Sequence, residues 1–548
     1  MRTEHCRLPD KFRSFGTMYR IVFLIGVATV FTVSVFGQGY HFPLNRDLLA
    51  RIGPLLAEDT SGFHTSFLPY ANPELNRLFD TEKSVAVDGC RSKFYSTWVG
   101  RKLRLEHLLE VDKDDIRLSV DPLFNFQLGK DRNSGRKTFV NTRGVQVQGN
   151  YHNDFYFYTA FHENQARYLS YVDSTIRQYE VVPGQGRVKF LENEVVDFSN
   201  STGGIAYVLN RHFDFLLAQD RLFIGDGYRS MLLSDNSHPF PFLRANMTFW
   251  KFRYSAVYAV MQDLQTPALQ NAGYPKKYST FHYLDLNIGR RNRLTVGLFE
   301  AVIWQPAASR GYELHYLNPM LFLRPVENSL GSPDNALLGL NVRWKASNSL
   351  SLYGQLLLDE FLLDEVRSGR GWWGNKQALQ FGIKTFDVAG ISGLHFQSEF
   401  NLARPFTYQH RTNAQSYTHY NQALAHPLGA GFYESVSMVN YRYRNLLAEV
   451  KFQYAVCGRD TGGVNLGNDI FQSYDTRPSE YGYYLPTGDA GILKSIAARV
   501  NYLVNAKTNF RVEVGIEHRN FSNDDGGQRS RLIYIGFRTA LQNYYFDF

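Results

Sequence analysis

The chain has 548 residues, 44% of them hydrophobic, and a formal net charge of +8, yet its mean hydropathy is only −0.32. That balance excludes a bundle of apolar membrane helices. Charge is weak and dispersed, with residues 1–37 carrying +3 of it, which argues against nucleic acid as a partner. Aromatic residues reach 15%, with 35 Tyr and 42 Phe, and 44 Gly outnumber 19 Pro. Such a mixture favours strands and turns.

At the N-terminus, Arg20 precedes an apolar run from Ile21 to Val35 that Thr29, Thr32 and Ser34 dilute. A charged residue followed by a short apolar core and a small residue, Gly37, predicts an export signal over residues 1–37, with Met18 a second candidate start. An uncleaved anchor is the competing reading. Residues 38–115 read as a small periplasmic segment of mixed structure. Asn72-Pro73 opens like a capped helix, and 101–110 is short, charged and irregular.

From about residue 118 the hydrophobic period becomes two. Leu446, Ala448, Val450, Phe452, Tyr454 and Val456 alternate with mostly polar residues, as do Val512, Val514 and Ile516. One such strand proves little, because soluble sheets alternate too. The number is stronger evidence. About eighteen segments qualify, near 120–129, 141–150, 153–162, 204–209, 212–219, 242–249, 251–262, 278–290, 293–303, 336–345, 348–359, 376–386, 391–401, 431–442, 445–456, 491–503, 508–519 and 530–540. Most have the length of a tilted membrane-crossing strand. Short connections such as Asn210-Arg211 and Tyr443-Arg444 alternate with long ones near 163–203, 220–241, 263–277, 304–335, 360–375, 402–430, 457–490 and 520–529. Outer-membrane barrels have this asymmetry of tight periplasmic turns and long external loops. Tyr544, Phe546 and Phe548 alternate to a terminal aromatic, predicting that Phe548 closes the last strand and offers a signal to the barrel-assembly machinery. The expectation is therefore an all-β transmembrane antiparallel barrel over 116–548, in the outer membrane of a Gram-negative cell and in contact with its lipid.

Catalytic chemistry is not legible. HExxH, GxSxG and phosphate-loop patterns are missing from the sequence, and His162-Glu163-Asn164 lacks a second His four residues on. Cys6, Cys90 and Cys457 show no metal-binding spacing, so no metal or other cofactor is expected. The predicted topology puts Cys90 and Cys457 on opposite sides of a bilayer, beyond the ~7 Å reach of a disulfide. The long loops carry aromatics, amides and charges, with Trp372-Trp373 the clearest pair. Sugar rings stack on aromatic faces while amides and carboxylates bind hydroxyls, so these loops suit a glycan. Filling the barrel mouth is the structural alternative.

One stretch, Arg221 to Phe242, contains Gly225-Asp226-Gly227-Tyr228-Arg229, then Leu232-Leu233-Ser234-Asp235-Asn236 and Pro239-Phe240-Pro241. With Tyr316-Leu317-Asn318-Pro319, Asp334-Asn335 and Leu358-Asp359-Glu360 downstream, it resembles the capsule-assembly Wzi family. Phe42-Pro43-Leu44-Asn45-Arg46-Asp47 and Phe63 to Tyr70 resemble its gliding-motility RemB branch, found in Bacteroidetes. The resemblance implies an eighteen-stranded outer-membrane barrel with a periplasmic N-terminal part, and a non-enzymatic role in organising surface polysaccharide. It further implies contact with motility or other envelope proteins. Asp226, Tyr228, Arg229, Asp235, Asn236, Trp372 and Trp373 are the candidate polysaccharide-binding residues. Gly225 and Gly227 equally suit a purely structural turn. A porin or substrate-specific channel is the alternative function, and a barrel enzyme with scattered Ser, His and acidic residues is a third.

Overall fold

The computed structural model describes residues 39–86, 96–268, 273–305, 313–319, 334–539 and 542–548. The predicted export signal and Cys90 lie outside the described residues.

Eighteen antiparallel strands close into one barrel. In chain order they are β1 Ile116–Asp131, β2 Lys137–Tyr151, β3 Phe155–Arg167, β4 Val196–Val208, β5 Phe213–Asp220, β6 Phe240–Phe249, β7 Phe252–Gln262, β8 Lys276–Ile288 and β9 Leu294–Trp304. There follow β10 Asn335–Lys345, β11 Leu350–Glu360, β12 Lys376–Thr385, β13 Leu394–Ala403, β14 Phe432–Tyr443, β15 Leu446–Cys457, β16 Gly491–Asn505, β17 Phe510–Asn523 and β18 Gly526–Arg538. Each strand pairs with its neighbour in sequence, and β18 returns to β1 from Leu532↔Asp131 to Arg538↔Asn125. Closure leaves the barrel wall without an unpaired edge, which is what allows a sheet to sit in hydrocarbon.

The alternation is physical as well as textual. On β15, Leu446, Val450 and Phe452 are exposed, and on β17 so are Val512, Val514 and Ile516. The opposite faces carry buried groups such as Gln453, Arg511 and Glu513. Exposed Leu128, Val145, Phe161, Ile205, Leu217, Leu379, Phe381, Phe400 and Ile535 continue the outward apolar surface around the wall. A surface this large and apolar is stable only against lipid. Among the described residues no helix is long and apolar enough to cross a membrane; the strands do so. The protein is an outer-membrane β-barrel.

Two expectations about the wall are corrected. The connection predicted as a long loop over 520–529 is a tight hairpin, because β17 runs on to Asn523 and β18 starts at Gly526. More consequentially, Phe548 does not close the last strand. β18 ends at Arg538, and Tyr544, Tyr545, Phe546, Asp547 and Phe548 form no strand. This tail turns into the lumen, where Tyr545 and Asp547 are buried. Its alternation reflects side chains packing to two sides of an internal segment, a pattern that a terminal wall strand would share.

The N-terminal segment packs at the short-turn end and reaches into the lumen. Helix α1, Arg46–Glu58, begins at Asn45, whose side chain accepts from the Asp47 and Leu48 amides at 3.1 and 3.3 Å. That cap satisfies donors a helix start otherwise leaves open. Leu48, Ile52 and Leu56 of α1 pack with Leu68, Tyr70, Leu75 and Phe223. The helix predicted from Asn72-Pro73 is a single turn, Asn72–Leu75, and its cap position is Ala71. Residues Trp98–Arg104 form another short helix. Hydrogen bonds fasten the segment to the short turns: Lys345 Nζ to Asp59 O at 2.7 Å, Asn292 Nδ2 to Thr60 O at 3.0 Å and Asn505 Nδ2 to Glu106 O at 3.0 Å.

Candidate functional site

The loop between β5 and β6, residues 221–239, folds into the barrel. A polar ladder on the inward face of the wall receives it. Gln355 Nε2 donates to Asn341 Oδ1, Gln380 Nε2 to Asn401 Oδ1, Asn401 Nδ2 to Glu434 Oε2 and Gln453 Nε2 to Glu434 Oε1, at 2.7–3.1 Å. These groups span β10 to β15, one or more per strand. Met231 N donates to Gln355 Oε1 at 2.8 Å, and Gln380 Nε2 donates to Arg229 O at 2.9 Å. Glu399 on β13 accepts from the Tyr228 and Arg229 amides at 2.7 and 2.9 Å. The loop's backbone is thus satisfied by wall side chains, as a buried irregular segment requires. Gly225 has φ +143° and a Cβ there would lie 2.4 Å from Gln355 Nε2, so glycine is needed for both conformation and approach.

Four of the sequence-predicted residues meet in this plug, each engaged by protein groups. Asp226 accepts from Thr65 Oγ1 at 3.0 Å and Ser66 Oγ at 2.9 Å. Arg229 lies between Glu434 at 3.0 Å and Asp547 at 3.1 Å. Tyr228 OH donates to Asp547 Oδ2 at 2.6 Å, and Lys451 Nζ pairs with the same carboxylate at 2.6 Å. Asp235 accepts from Tyr545 OH at 2.9 Å and Asn543 Nδ2 at 3.0 Å. Arg46 joins the other end of the chain to this centre, donating through Nε to Tyr545 OH at 3.0 Å and through the guanidinium to Tyr228 O. Arg46, Glu399, Glu434, Lys451, Tyr545 and Asp547 are the partners that sequence reasoning missed. Glu434 and Lys451 sit at alternating inward positions and were legible only as lumen-facing charges. Asp547 was hidden by reading the tail as a strand.

Asn236 lies at the other, long-loop side of the plug. It lines a cavity of about 430 Å³ with Asn421, Asn468, Asp469 and Phe548. Helix α2, Ser170–Tyr179, contributes Tyr179 to the rim. Its ring lies 5.2 Å from that of Phe471, tilted by 45°. Asn421 Nδ2 donates to Tyr179 O at 3.1 Å, and Gln422 holds residues 184–185 through Gly184 N and Gln185 O at 2.7 and 3.0 Å. Burial raises the Asp469 carboxyl above the ordinary carboxylate range, against hydrogen bonds from the Phe471 amide and Gln472 that pull it down. A concave surface of amides, a carboxylate and half-buried rings can bind polar, ring-shaped ligands.

Trp372 and Trp373 are not part of this cavity. Trp373 belongs to a separate external cluster: its indole N–H donates to Glu480 Oε2 at 2.7 Å, Arg477 lies 4.0 Å over its ring, and Tyr474 packs at 4.9 Å. Trp372 is 5.8 Å from Trp373 by ring centroids.

Comparison with protein-family models and with curated proteins gives no match. Solved structures do match. The fold is similar to that of Wzi. That protein, from Escherichia coli, is an outer-membrane protein involved in group 1 capsule assembly and a carbohydrate-binding β-barrel. The match has 13% identity and a TM-score of 0.54, and covers 92% of this chain and 100% of Wzi. OprD of Pseudomonas aeruginosa matches at 11% identity and TM-score 0.40, over 77% of this chain and 94% of its own. OpdK of the same organism matches at 8% and 0.42, over 77% and 98%. The likeness to Wzi at this identity is one of fold.

Proposed function

We propose that the protein is a non-enzymatic outer-membrane barrel that binds or organises surface polysaccharide, in support of capsule attachment or gliding motility. One asymmetry carries this reading. The lumen is filled by segments cross-linked through buried ion pairs, while the long-loop end presents a cavity of amides, a carboxylate and paired rings. A plugged barrel serves as a rigid mount for its outer loops, and rigid mounting lowers the ordering cost of binding. Sugar hydroxyls would donate to Asp469 and exchange hydrogen bonds with Asn236, Asn421 and Asn468, while Tyr179 and Phe471 offer faces for stacking. The carbohydrate binding of Wzi, on the same fold, supports the choice of ligand class. Buried Asp226, Tyr228, Arg229 and Asp235 then serve by holding the mount, and Trp373 offers a second external face.

The test is titration of the purified protein with polysaccharide extracted from cells that make it. Tyr179→Ala and Phe471→Ala are each expected to weaken binding roughly five- to tenfold, from the loss of ring stacking. Unchanged affinity in both variants together would remove this cavity from the binding surface. In planar bilayers the intact protein is expected to carry no steady current; a steady open pore would favour the channel reading instead. Gene deletion is expected to reduce both polysaccharide retention and colony spreading.

Binding is also expected to depend on pH. Because burial raises the Asp469 carboxyl, its ionised, accepting form is lost as pH falls, earlier than for an ordinary carboxylate. Affinity should therefore drop on acidification from neutral pH, and Asp469→Asn should flatten that profile. A wild-type profile that does not change on acidification would remove Asp469 from the site.

A further inference from the structure

On the outside of the wall, at the long-loop end, the lipid-facing surface changes character across five adjacent strands. One row in hydrogen-bond register is apolar throughout: Val500 of β16, Val514 of β17, Ile535 of β18, Leu128 of β1 and Phe139 of β2. Two residues further along each strand, on the same outward face, Lys130 lies opposite Lys137 and beside Ile533. Arg531 comes next, and the Arg132 amide donates to its carbonyl at 2.8 Å. Above that, Asn520 lies between Lys494 and Arg529, and Arg529 Nε donates to Asn520 Oδ1 at 3.2 Å.

Lys130, Arg132, Lys137, Lys494, Arg529 and Arg531 are all exposed. None of them has an ion-pair partner among the described residues. Asp131, adjacent in sequence, is buried on the other face and accepts from Ser134, the Asn133 amide and the Arg531 amide. Elsewhere on the wall Gln219, Pro241, Gln262, Gln377, Tyr433 and Val456 at corresponding outward positions are uncharged, and Lys276, opposite Gln262, is a cation outside the cluster. The cluster is local and not a general rim.

We infer that this cluster binds the phosphate groups of a phosphorylated glycolipid of the outer leaflet. Its position supports this: the acyl chains would lie along the Val514, Ile535 and Leu128 row, and phosphates attached to the headgroup would meet the cations immediately above. Arginine pairs phosphate oxygens through two parallel N–H donors, and lysine adds compact charge. Basic surfaces at this depth recognise anionic headgroups. The site is distinct from the loop cavity and does not depend on polysaccharide binding there.

The test uses the full-length protein in phosphatidylcholine nanodiscs doped with diphosphoryl lipid A, and native mass spectrometry to count retained lipid. The wild type is expected to retain lipid A in preference to phosphatidylcholine and to enzymatically dephosphorylated lipid A. The triple variant Lys130→Gln, Arg132→Gln, Arg531→Gln is expected to lose that preference by a factor on the order of a hundred. Lys276→Gln, an outward cation outside the cluster, should retain it. Heat-modifiable gel mobility shows that each variant barrel is folded. Retention of lipid A by a folded triple variant at the wild-type level overturns the inference. So does a wild type that does not distinguish phosphorylated from dephosphorylated lipid, or a cluster whose loss weakens only the capture of a soluble acidic polysaccharide.

Discussion

Ending the chain at Thr539 is expected to leave the barrel folded and to make it conduct. The closing ladder between β18 and β1 ends at Arg538, so the wall does not use the last residues. The plug does. Removing Asp547 strips Lys451 of its paired carboxylate and leaves Arg229 with Glu434 alone, and removing Tyr545 takes a partner from both Arg46 and Asp235. A buried charge left alone costs about 3–5 kcal/mol, more than an irregular loop can absorb. The 221–239 loop should therefore leave its seat and open a path through the lumen. Asp547→Ala should show the same effect more weakly, with intermittent current. Single-channel recording checks the opening, and heat-modifiable mobility checks the wall. A truncated barrel that stays folded and silent would show that the remaining segments close the lumen without the tail.

Val514→Arg is expected to cost roughly 2–4 kcal/mol in a lipid-based unfolding titration, the depth-dependent penalty for arginine on the lipid face of a barrel. Val514 pairs with Val500 and Ile535, so no carboxylate on those neighbours can offset the charge. Val514→Leu, which keeps the surface apolar, should cost little. Equal stability of the two variants would mean that this face does not contact hydrocarbon.

These two experiments probe what could and could not be read from the residues. The wall was legible. Val512, Val514 and Ile516 on one face and Arg511 and Glu513 on the other state their orientation in a period of two, because lipid and lumen select opposite side chains at every step. The alternation of short turns such as Asn210-Arg211 with long loops also oriented the barrel. Tyr156, Tyr158 and His162 alternate with Phe155, Phe157 and Phe161, a pattern of bulky groups on the more polar face that suits a filled lumen. The structure turns Tyr158 inward, with its OH donating to Asp220 Oδ2 at 2.8 Å.

The plug was not legible, and the tail shows why. Tyr544, Phe546 and Phe548 alternate as a strand would, and local pattern does not distinguish pairing with a wall from packing within it. The Gly225–Asn236 stretch likewise identified itself as unusual without saying whether its charges faced a ligand or one another.

Sequence alone determined that this chain forms a strand-rich membrane barrel, which faces of its strands meet lipid, and which end bears the long loops. Those properties follow from side chains two residues apart and from the lengths between them. Tertiary structure decided that Asp226, Tyr228, Arg229 and Asp235 are held by Thr65, Glu434, Tyr545 and Asp547. It also placed Asn236 on an outer cavity with Asn421 and Asp469, and gathered Lys494, Arg531 and Lys130 into one basic patch. Such contacts join residues up to several hundred positions apart. Barrel closure, which brings the first strand against the last and the residues around Arg46 and Asp547 into one lumen, is what creates them.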